Sequence, residues 1–286
     1  MPEAVIRGVP LNYLVVGDQG PWVAFTPGSR RPYGELVPLA QAVAGAGYRV
    51  LLHDRRNCGA SGVAIEPIGS EHEIWADDLK ELSASLGIDR IYAGGSSAGA
   101  RLALLFALRH PTLVQGLLLW RVTGGRHAAE KLAHQYYGQF QDLARSGGME
   151  AVCTSEHFAE CIRERPANRE RLMAMQVDDF WATMEMWRKR FLADADLPVV
   201  GATEEQLRAL KVPACICAGN DMIHTPETAR KVAGLIAESQ LYDDLVSKRA
   251  DDDLLETWDV AEWKVAEPRL AAIFTDFMRQ RGVRAA

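Results

Sequence analysis

Several features that mark other classes of protein are missing from this chain of 286 residues. No apolar run approaches the roughly 20 residues that a membrane-spanning helix needs, and the opening Met-Pro-Glu-Ala-Val lacks the pattern of a secretory signal. The formal net charge is −6, which argues against nucleic acid or an anionic membrane surface as a partner. We therefore expect a cytoplasmic protein with no membrane partner and no nucleic-acid partner.

Cysteine is scarce, and metal-binding patterns are missing. The five cysteines are scattered, and Cys215 and Cys217 alternate within an apparent strand, which suits small buried side chains better than metal ligands. His127, His134 and His157 do not stand at ligand spacing with acids or cysteines. We expect reduced thiols and neither a metal nor an organic cofactor.

Short apolar runs that alternate with helical stretches make up most of the chain. Three of these runs indicate buried strands: Ile91–Gly94, Val114–Trp120 and Ala214–Ala218. Such runs are typical of parallel strands that helices cover on both faces. The sequence therefore predicts an α/β fold with a mostly parallel sheet of about eight strands. A last helix is predicted from about Pro268 to Arg281, where apolar residues recur on one face.

The alternation of strands and helices is interrupted once. From Gly124 to about Val200 the sequence has helical stretches, richer in charge and aromatic residues, and no convincing strand. We expect a core domain formed by residues 1–123 and 204–286. Residues 124–203 are expected to form a helical cap domain inserted after the sixth strand.

The sharpest motif is Gly-Ser-Ser-Ala-Gly at residues 95–99, which matches the pattern G-x-S-x-G. It follows a predicted strand and opens a predicted helix, the context in which this pattern marks a nucleophilic serine. The small flanking residues let strand and helix approach closely, which leaves Ser97 exposed at the end of the strand. The start of the helix would present the Ala98 backbone N–H to a developing oxyanion.

On these residues the chain resembles the α/β-hydrolase family with a helical cap. Residues 54–61 are similar to the family's D-x-R-G-x-G-x-S loop after the fourth strand. Residues 25–28 correspond to the loop after the third strand, with Pro27 where most members carry histidine. The resemblance implies a second oxyanion donor, the backbone N–H of Ser29, directly after Gly28.

The resemblance also implies a catalytic triad. Gly219-Asn220-Asp221 resembles the family's G-x-D after the seventh strand and suggests Asp221 as the triad carboxylate. The alternative is that Asp221 only caps the helix that begins near Pro226, because acids and proline are both common at helix starts. The family's histidine lies in the loop after the eighth strand. Here that loop, at about Ser247–Glu267, has no histidine, and His224 is the last one in the chain. A serine hydroxyl needs a base to take its proton.

Several explanations for the missing histidine stay open. His224 is three residues past Asp221 and would be the base, or else a histidine that only packs the loop. An acidic residue of the later loop, such as Asp253 or Asp259, would serve if burial raised its pKa. Alternatively, the chain would be a ligand-binding protein on this fold, or an enzyme with cofactor-free lyase chemistry.

The cap is the expected source of substrate specificity. Four large apolar residues stand there at helical spacing: Phe180, Trp181, Met184 and Trp187. They indicate cap-to-core packing or the wall of an apolar pocket, with Trp181 and Trp187 as candidate substrate contacts. Arg30 and Arg31, unless they belong to a solvated loop, and Arg121, at the end of the sixth strand, are candidates to hold a carboxylate.

Together these features predict hydrolysis of an ester, lactone or C–C bond in a small aromatic or carboxylated metabolite. The triad is expected to be non-standard or incomplete, because the loop that usually carries its histidine has none. The apolar surface of the cap would support a homodimer.

Overall fold

The computed structural model describes residues 2–250 and 252–282. In these residues one sheet has eight strands: β1 (Glu3–Ile6), β2 (Val9–Val16), β3 (Trp22–Thr26), β4 (Arg49–His53), β5 (Ile91–Ser96), β6 (Val114–Trp120), β7 (Ala214–Cys217) and β8 (Ser239–Tyr242). Their order across the sheet is β1-β2-β4-β3-β5-β6-β7-β8. β2 is antiparallel to β1 and β4, and all other neighbours are parallel. The predicted mostly parallel sheet is confirmed.

Helices connect the strands and cover the sheet. Their bounds are α1 (Val37–Gly45), α2 (Glu71–Ser85), α3 (Ala98–Arg109), α4 (Arg126–Ala133), α5 (Gln139–Cys153), α6 (Glu156–Glu164), α7 (Ala167–Met173), α8 (Val177–Ala193), α9 (Glu204–Ala209), α10 (Pro226–Leu235) and α11 (Val260–Gly282). A 3₁₀ turn at Tyr33–Leu36 precedes α1, and a π-helical turn at His134–Gly138 joins α4 to α5. Among these described helices, none has both the length and the apolar character needed to cross a bilayer.

Alternating apolar residues of the strands build one hydrophobic core on each face of the sheet. In β4, Leu51 faces a cluster with residues of α2, α3 and α10, whereas Val50 and Leu52 face a cluster with residues of α1 and α11. This alternation follows from the two-residue period of a strand. Since both faces are covered, the strands can be apolar throughout, and functional groups are left to the ends of the sheet.

The helices between β6 and β7 pack around a third apolar cluster. Aromatic side chains of α5, α6 and α8 meet in it: Phe140, Phe158, Phe180 and Trp187. Val63 and Ile65, in the loop after β4, join the same cluster and tie these helices to the sheet. The helical character predicted for this interval is observed. The domain boundaries at residues 124 and 203 stay a prediction.

The predicted start of the last helix is wrong. It begins at Val260 rather than at Pro268, and Pro268 lies inside it. Asp259 sets the true start, because its Oδ1 accepts hydrogen bonds from the backbone N–H groups of Ala261 (2.8 Å) and Glu262 (3.2 Å). Proline is common in the first turn of a helix, so its position is a misleading signal here. The short helices α7 and α9 were not predicted.

Candidate active site

Ser97 lies in the sharp turn between β5 and α3. Its backbone has φ +54° and ψ −112°, a conformation that a residue with a side chain adopts only when its surroundings hold it there. Close packing does so: a Cβ at Gly99 would lie 2.0 Å from the Thr26 carbonyl oxygen, and one at Gly95 would lie 2.4 Å from the Gly99 carbonyl carbon. The two glycines of the motif therefore allow α3 to rest against the end of β3, and Ser97 is fixed at the carboxyl edge of the sheet.

Ser97 joins a chain of hydrogen bonds with His224 and Asp221. Its Oγ is 2.8 Å from His224 Nε2, and His224 Nδ1 is 2.8 Å and 3.0 Å from the two carboxylate oxygens of Asp221. Because Nδ1 faces a carboxylate, it carries the ring proton, which leaves Nε2 free to accept the proton of the Ser97 hydroxyl. The Oγ of Ser97 is also 3.2 Å from Thr123 Oγ1.

A tight turn after β7 brings the imidazole of His224 over the serine. Asp221 Oδ1 accepts backbone hydrogen bonds from Ile223 (2.9 Å) and His224 (3.1 Å), so one carboxylate shapes the turn and holds the ring. A Cβ at Gly219 would lie 2.5 Å from the His224 carbonyl oxygen, so only glycine permits this close return of the chain. Asp221 also bridges to Leu255 in the loop after β8, which anchors the turn from the other side.

The electrostatics of the pair favour a neutral imidazole beside an ionised carboxylate. Burial lowers the pKa of His224; the hydrogen bond and charge of Asp221 oppose this effect, and the nearby Arg121 lowers the pKa further. Burial pushes the pKa of Asp221 upward, but the imidazole and two backbone N–H groups outweigh that effect, so the pKa lies below its ordinary value. At neutral pH His224 is thus a proton acceptor, as a general base must be.

The two predicted oxyanion donors flank the serine. Ala98 is the first residue of α3, so its backbone N–H has no partner within its own helix. Gly28 and Ser29 line the same groove as Ser97, and Ser29 has a φ of +44°. Both N–H groups belong to segments that pack at the carboxyl edge of the sheet, which is where the predicted oxyanion hole would form.

A groove of about 260 Å³ opens at Ser97, and Arg121 lines it. Arg121 donates hydrogen bonds from Nε (3.0 Å) and Nη2 (2.6 Å) to Ser96 Oγ. Burial lowers its pKa to about 10, although the charges of Glu35 and Asp221 favour the protonated form. Arg121 therefore stays a cation at neutral pH, as expected for a residue that holds an anionic group.

Three other predicted substrate contacts lie away from this groove, which corrects the sequence-based assignment. Arg30 is buried and donates to both carboxylate oxygens of Glu71, at 2.8 Å and 2.6 Å. The ring of Trp181 lies under Arg145, 4.8 Å from its guanidinium carbon, and Trp187 lines a separate cavity. The buried carboxylate of Glu71 turns Arg30 inward, so the position of Arg30 directly after the oxyanion loop was a misleading signal. Trp187 packs in the apolar cluster of the cap helices.

The two acidic candidates of the loop after β8, Asp253 and Asp259, lie away from Ser97. Asp253 is exposed and 3.5 Å from Arg249, and Asp259 caps α11. Neither residue lines the groove at Ser97. Asp253 and Asp259 are therefore surface residues, and the loop reaches the groove through Thr257 and Trp258 instead.

Sequence reasoning missed several groove residues. Lys131, Gln135 and Trp258 all line it, beside Arg31, which the sequence had suggested together with Arg30. Lys131 and Gln135 are four residues apart and so share one side of a helical segment. The spacing of Lys131 and Gln135 indicates that they lie on the same side of the helix, but the neighbouring sequence does not show that this side faces Ser97.

No metal site is evident in the part of the chain that the structure describes: no group of three or more His, Cys, Asp or Glu residues is arranged to hold an ion. All five cysteines are free and buried.

The chain resembles known hydrolases in sequence and in structure. A family model described as alpha/beta hydrolase fold matches residues 26–159. A proline iminopeptidase of Lactobacillus acidophilus is 25% identical over 264 residues, covering 82% of this chain and 86% of that protein. A 2-hydroxy-6-oxononadienedioate/2-hydroxy-6-oxononatrienedioate hydrolase of Paraburkholderia phymatum is 30% identical over 185 residues, 63% of this chain and 62% of that protein. The solved enol-lactonase of Burkholderia xenovorans has a TM-score of 0.62 at 20% identity, covering 96% of this chain and all of that one (100%).

The fold and these matches define a hydrolase-type enzyme built on an α/β sheet. The match of residues 26–159 to the alpha/beta hydrolase fold model, together with the relatives above, supports an α/β-hydrolase family and confirms the resemblance predicted from the elbow and its neighbouring loops.

Proposed function

We propose that this protein is a serine hydrolase whose triad is Ser97, His224 and Asp221, and that it cleaves an ester, lactone or C–C bond in a small carboxylate-bearing molecule. The observation that carries the proposal is the 2.8 Å contact between His224 Nε2 and Ser97 Oγ. The histidine comes from the loop after β7 and not from the loop after β8, so the triad is complete but non-standard.

On an ester or lactone, Ser97 Oγ attacks the carbonyl carbon while His224 Nε2 takes the hydroxyl proton. Asp221 holds the imidazole in the required tautomer and stabilises its positive charge. The backbone N–H groups of Ser29 and Ala98 would stabilise the oxyanion of the tetrahedral intermediate. His224 then gives the proton to the leaving oxygen, and a water molecule activated by the same imidazole hydrolyses the acyl-enzyme.

The charge of the groove supports an anionic substrate. Three cationic side chains line it, namely Arg31, Lys131 and the buried Arg121, against the carboxylates of Glu35 and Asp221. Asp221 is occupied by His224 and Glu35 is paired with Arg31 at 2.8 Å, which leaves the positive charges of Arg121 and Lys131 for the substrate. An arginine can hold a carboxylate through two parallel hydrogen bonds, and the Paraburkholderia relative is named for a dioate. A ligand-binding protein without catalysis is less favoured, because it would not need the aligned imidazole.

Turnover of p-nitrophenyl acetate and butyrate tests the triad. We expect Ser97→Ala and His224→Ala each to lower kcat by a factor of about 10³ or more, because nucleophile and base act as one unit. His127→Ala is the matched control, since that histidine is exposed on α4, and it should leave kcat unchanged. Unaltered turnover in His224→Ala would reject the triad, and unaltered turnover in Ser97→Ala would reject serine catalysis altogether.

The substrate class is tested with two p-nitrophenyl esters of similar size. Mono-p-nitrophenyl succinate carries a carboxylate, whereas p-nitrophenyl butyrate does not. We expect the wild type to favour the succinate in kcat/KM, and Arg121→Gln to remove about tenfold or more of that preference, because a charged hydrogen bond is lost. If Arg121→Gln prefers the succinate as strongly as the wild type does, Arg121 has no carboxylate-binding role.

A further inference from the structure

A second cavity, of about 250 Å³, lies between α2, α3 and α8 and shares no lining residue with the groove at Ser97. Its inner wall includes Arg101 of α3 and three rings: Tyr137, Trp187 and Phe191. All four of these residues are buried. Its rim carries the less buried residues Ser70, Glu73, Arg190 and Asp194. The cavity thus has a polar rim and an aromatic interior that contains one guanidinium group.

Arg101 is a buried cation without an anionic partner. It is 1% exposed, and its Nε and Nη1 make no hydrogen bond to any residue that the structure describes. Its Nη2 contacts His72 Nε2, and its guanidinium carbon is 4.7 Å from the centroid of the Phe191 ring. Burying a charge without a counter-ion costs several kcal/mol. Burial lowers the pKa of Arg101, yet arginine remains protonated in proteins.

The neighbouring groups do not neutralise this charge. His72 is buried, and its pKa is held well below the ordinary value by burial and by the positive charges around it, so it is neutral. Glu71, the nearest buried acid of α2, is bound by Arg30 and accepts a hydrogen bond from Asn57 at 3.0 Å. Arg55, a further buried cation, lies 4.6 Å from the ring centroid of Trp75 and interacts with the carboxylate of Asp54. The guanidinium of Arg101 is therefore the charge beneath the cap that these acids leave unbalanced.

The acids at the rim leave the inner wall cationic. Glu73 lies 3.5 Å from Arg109 outside the cavity, and Asp194 is only partly buried beside Arg190 at the opening. Both carboxylates therefore lie at the mouth, where water screens them. A ligand that enters meets opposite charges at the rim and a single cation inside.

We propose that this cavity binds a small organic carboxylate with an apolar body. Arg101 holds the carboxylate, and the body lies among the rings of Tyr137, Trp187 and Phe191. The volume is below the roughly 300–1,000 Å³ of sites for drug-sized ligands, which suits a molecule the size of benzoate.

Calorimetric titration with benzoate and with its neutral counterpart benzamide tests the proposal. In Arg121→Gln, which removes the proposed carboxylate-binding arginine of the groove at Ser97, we expect one saturable benzoate site per chain and binding of benzamide weaker by about tenfold or more. In this background Arg101→Gln should weaken benzoate to the level of benzamide, whereas Arg101→Lys, which keeps the charge, should retain part of the affinity. The wild type should bind benzoate in the second cavity with the same affinity as Arg121→Gln, because Arg121 belongs to the other groove.

The measurement needs no turnover, so its outcome is independent of the proposed triad. Loss of benzoate binding in Arg121→Gln but not in Arg101→Gln would place the ligand at Ser97 and overturn the proposal. Equal affinity for benzoate and benzamide, or no saturable binding at millimolar benzoate, would overturn it as well. If Arg101→Gln fails to fold, the proposal is still tested by the difference in affinity between benzoate and benzamide and by benzoate binding to Arg101→Lys.

Discussion

The guanidinium carbon of Arg121 lies 3.9 Å from the ring centroid of Trp258, so the end of β6 is packed against the loop that follows β8. Two hydrogen bonds to Ser96 Oγ fix the same guanidinium. A buried cation is thereby held at the edge of the groove that contains Ser97 and His224. Its position has a consequence for the pH dependence of the enzyme.

The acid limb of activity should lie below the ordinary pKa of histidine. Burial and Arg121 lower the pKa of His224 below its ordinary value, against the opposing effect of Asp221. The imidazole therefore stays neutral, and the enzyme active, to a lower pH. In Arg121→Gln the pKa of His224 should rise, which moves the midpoint of kcat/KM to higher pH. A profile with p-nitrophenyl acetate, a neutral ester, measures this shift.

Arg121→Lys is the control for this profile, because it keeps the charge. Its midpoint should stay close to that of the wild type. A midpoint in Arg121→Gln that is unchanged or lower would contradict the electrostatic role of Arg121.

Acid should destabilise the fold through buried histidines. Burial, with the added charge of Arg55, lowers the pKa of His53 to about 3, and neither ring nitrogen has a hydrogen-bond partner in the described residues. Because the unfolded chain then binds more protons, the free energy of unfolding falls as the pH drops below about 6.5. The loss is about 1.4 kcal/mol per pH unit for this histidine, down to its folded-state pKa.

His53→Leu should therefore flatten the dependence of unfolding free energy on pH between about 6 and 4 by roughly that slope. Urea denaturation at several pH values measures it, and the slope is read independently of any change in absolute stability. His127→Leu, at an exposed position, should leave the slope as it is. An unchanged slope in His53→Leu would show that proton uptake by His53 on unfolding does not cause the pH dependence.

The buried ion pair between Arg30 and Glu71 should be sensitive to loss of one charge. Both side chains are almost fully buried, at 6% and 0% exposure. Glu71→Gln leaves a buried guanidinium uncompensated and should lower the free energy of unfolding by about 3–5 kcal/mol. Urea denaturation measures the change.

The matched control is Glu150→Gln, which removes one partner of an exposed pair with Arg169. It should change stability little, because water screens such pairs. Replacing both buried partners, as in Arg30→Met with Glu71→Leu, should cost less than Glu71→Gln alone. If the single variant is as stable as the wild type, the buried pair does not hold these segments together.

The elbow should not tolerate a side chain at its second glycine. A Cβ at Gly99 would lie 2.0 Å from the Thr26 carbonyl oxygen, a backbone atom that cannot rotate away. We expect Gly99→Ala to cost more than about 4 kcal/mol or to prevent folding. Gly234→Ala is the control, since a Cβ there meets nothing within 4 Å, and it should stabilise α10 by up to about 1 kcal/mol. Thermal unfolding of both variants decides.

The predictions that succeeded depended on neighbours in the chain. β6 has the predicted bounds Val114–Trp120, because an uninterrupted apolar run is a local signal. The predictions that failed depended on distant partners. Arg30 follows the loop of the groove in sequence, yet a carboxylate 41 residues away turns it inward. The start of α11 was placed too late because Pro268 was taken as the signal for the first turn of the helix, whereas Asp259 is the residue that caps it.

By itself the sequence determined the alternation of strands and helices, the helical interval after β6 and the elbow at Ser97, since each of these is specified by residues within one or two turns of each other. It left the base undecided between His224 and the acids of the later loop. Only the tertiary structure shows that His224 contacts Ser97, because the two residues are 127 positions apart in the chain. Their 2.8 Å contact depends on how β5 and β7 line up in the sheet, which is a property of long-range strand pairing and not of any local pattern.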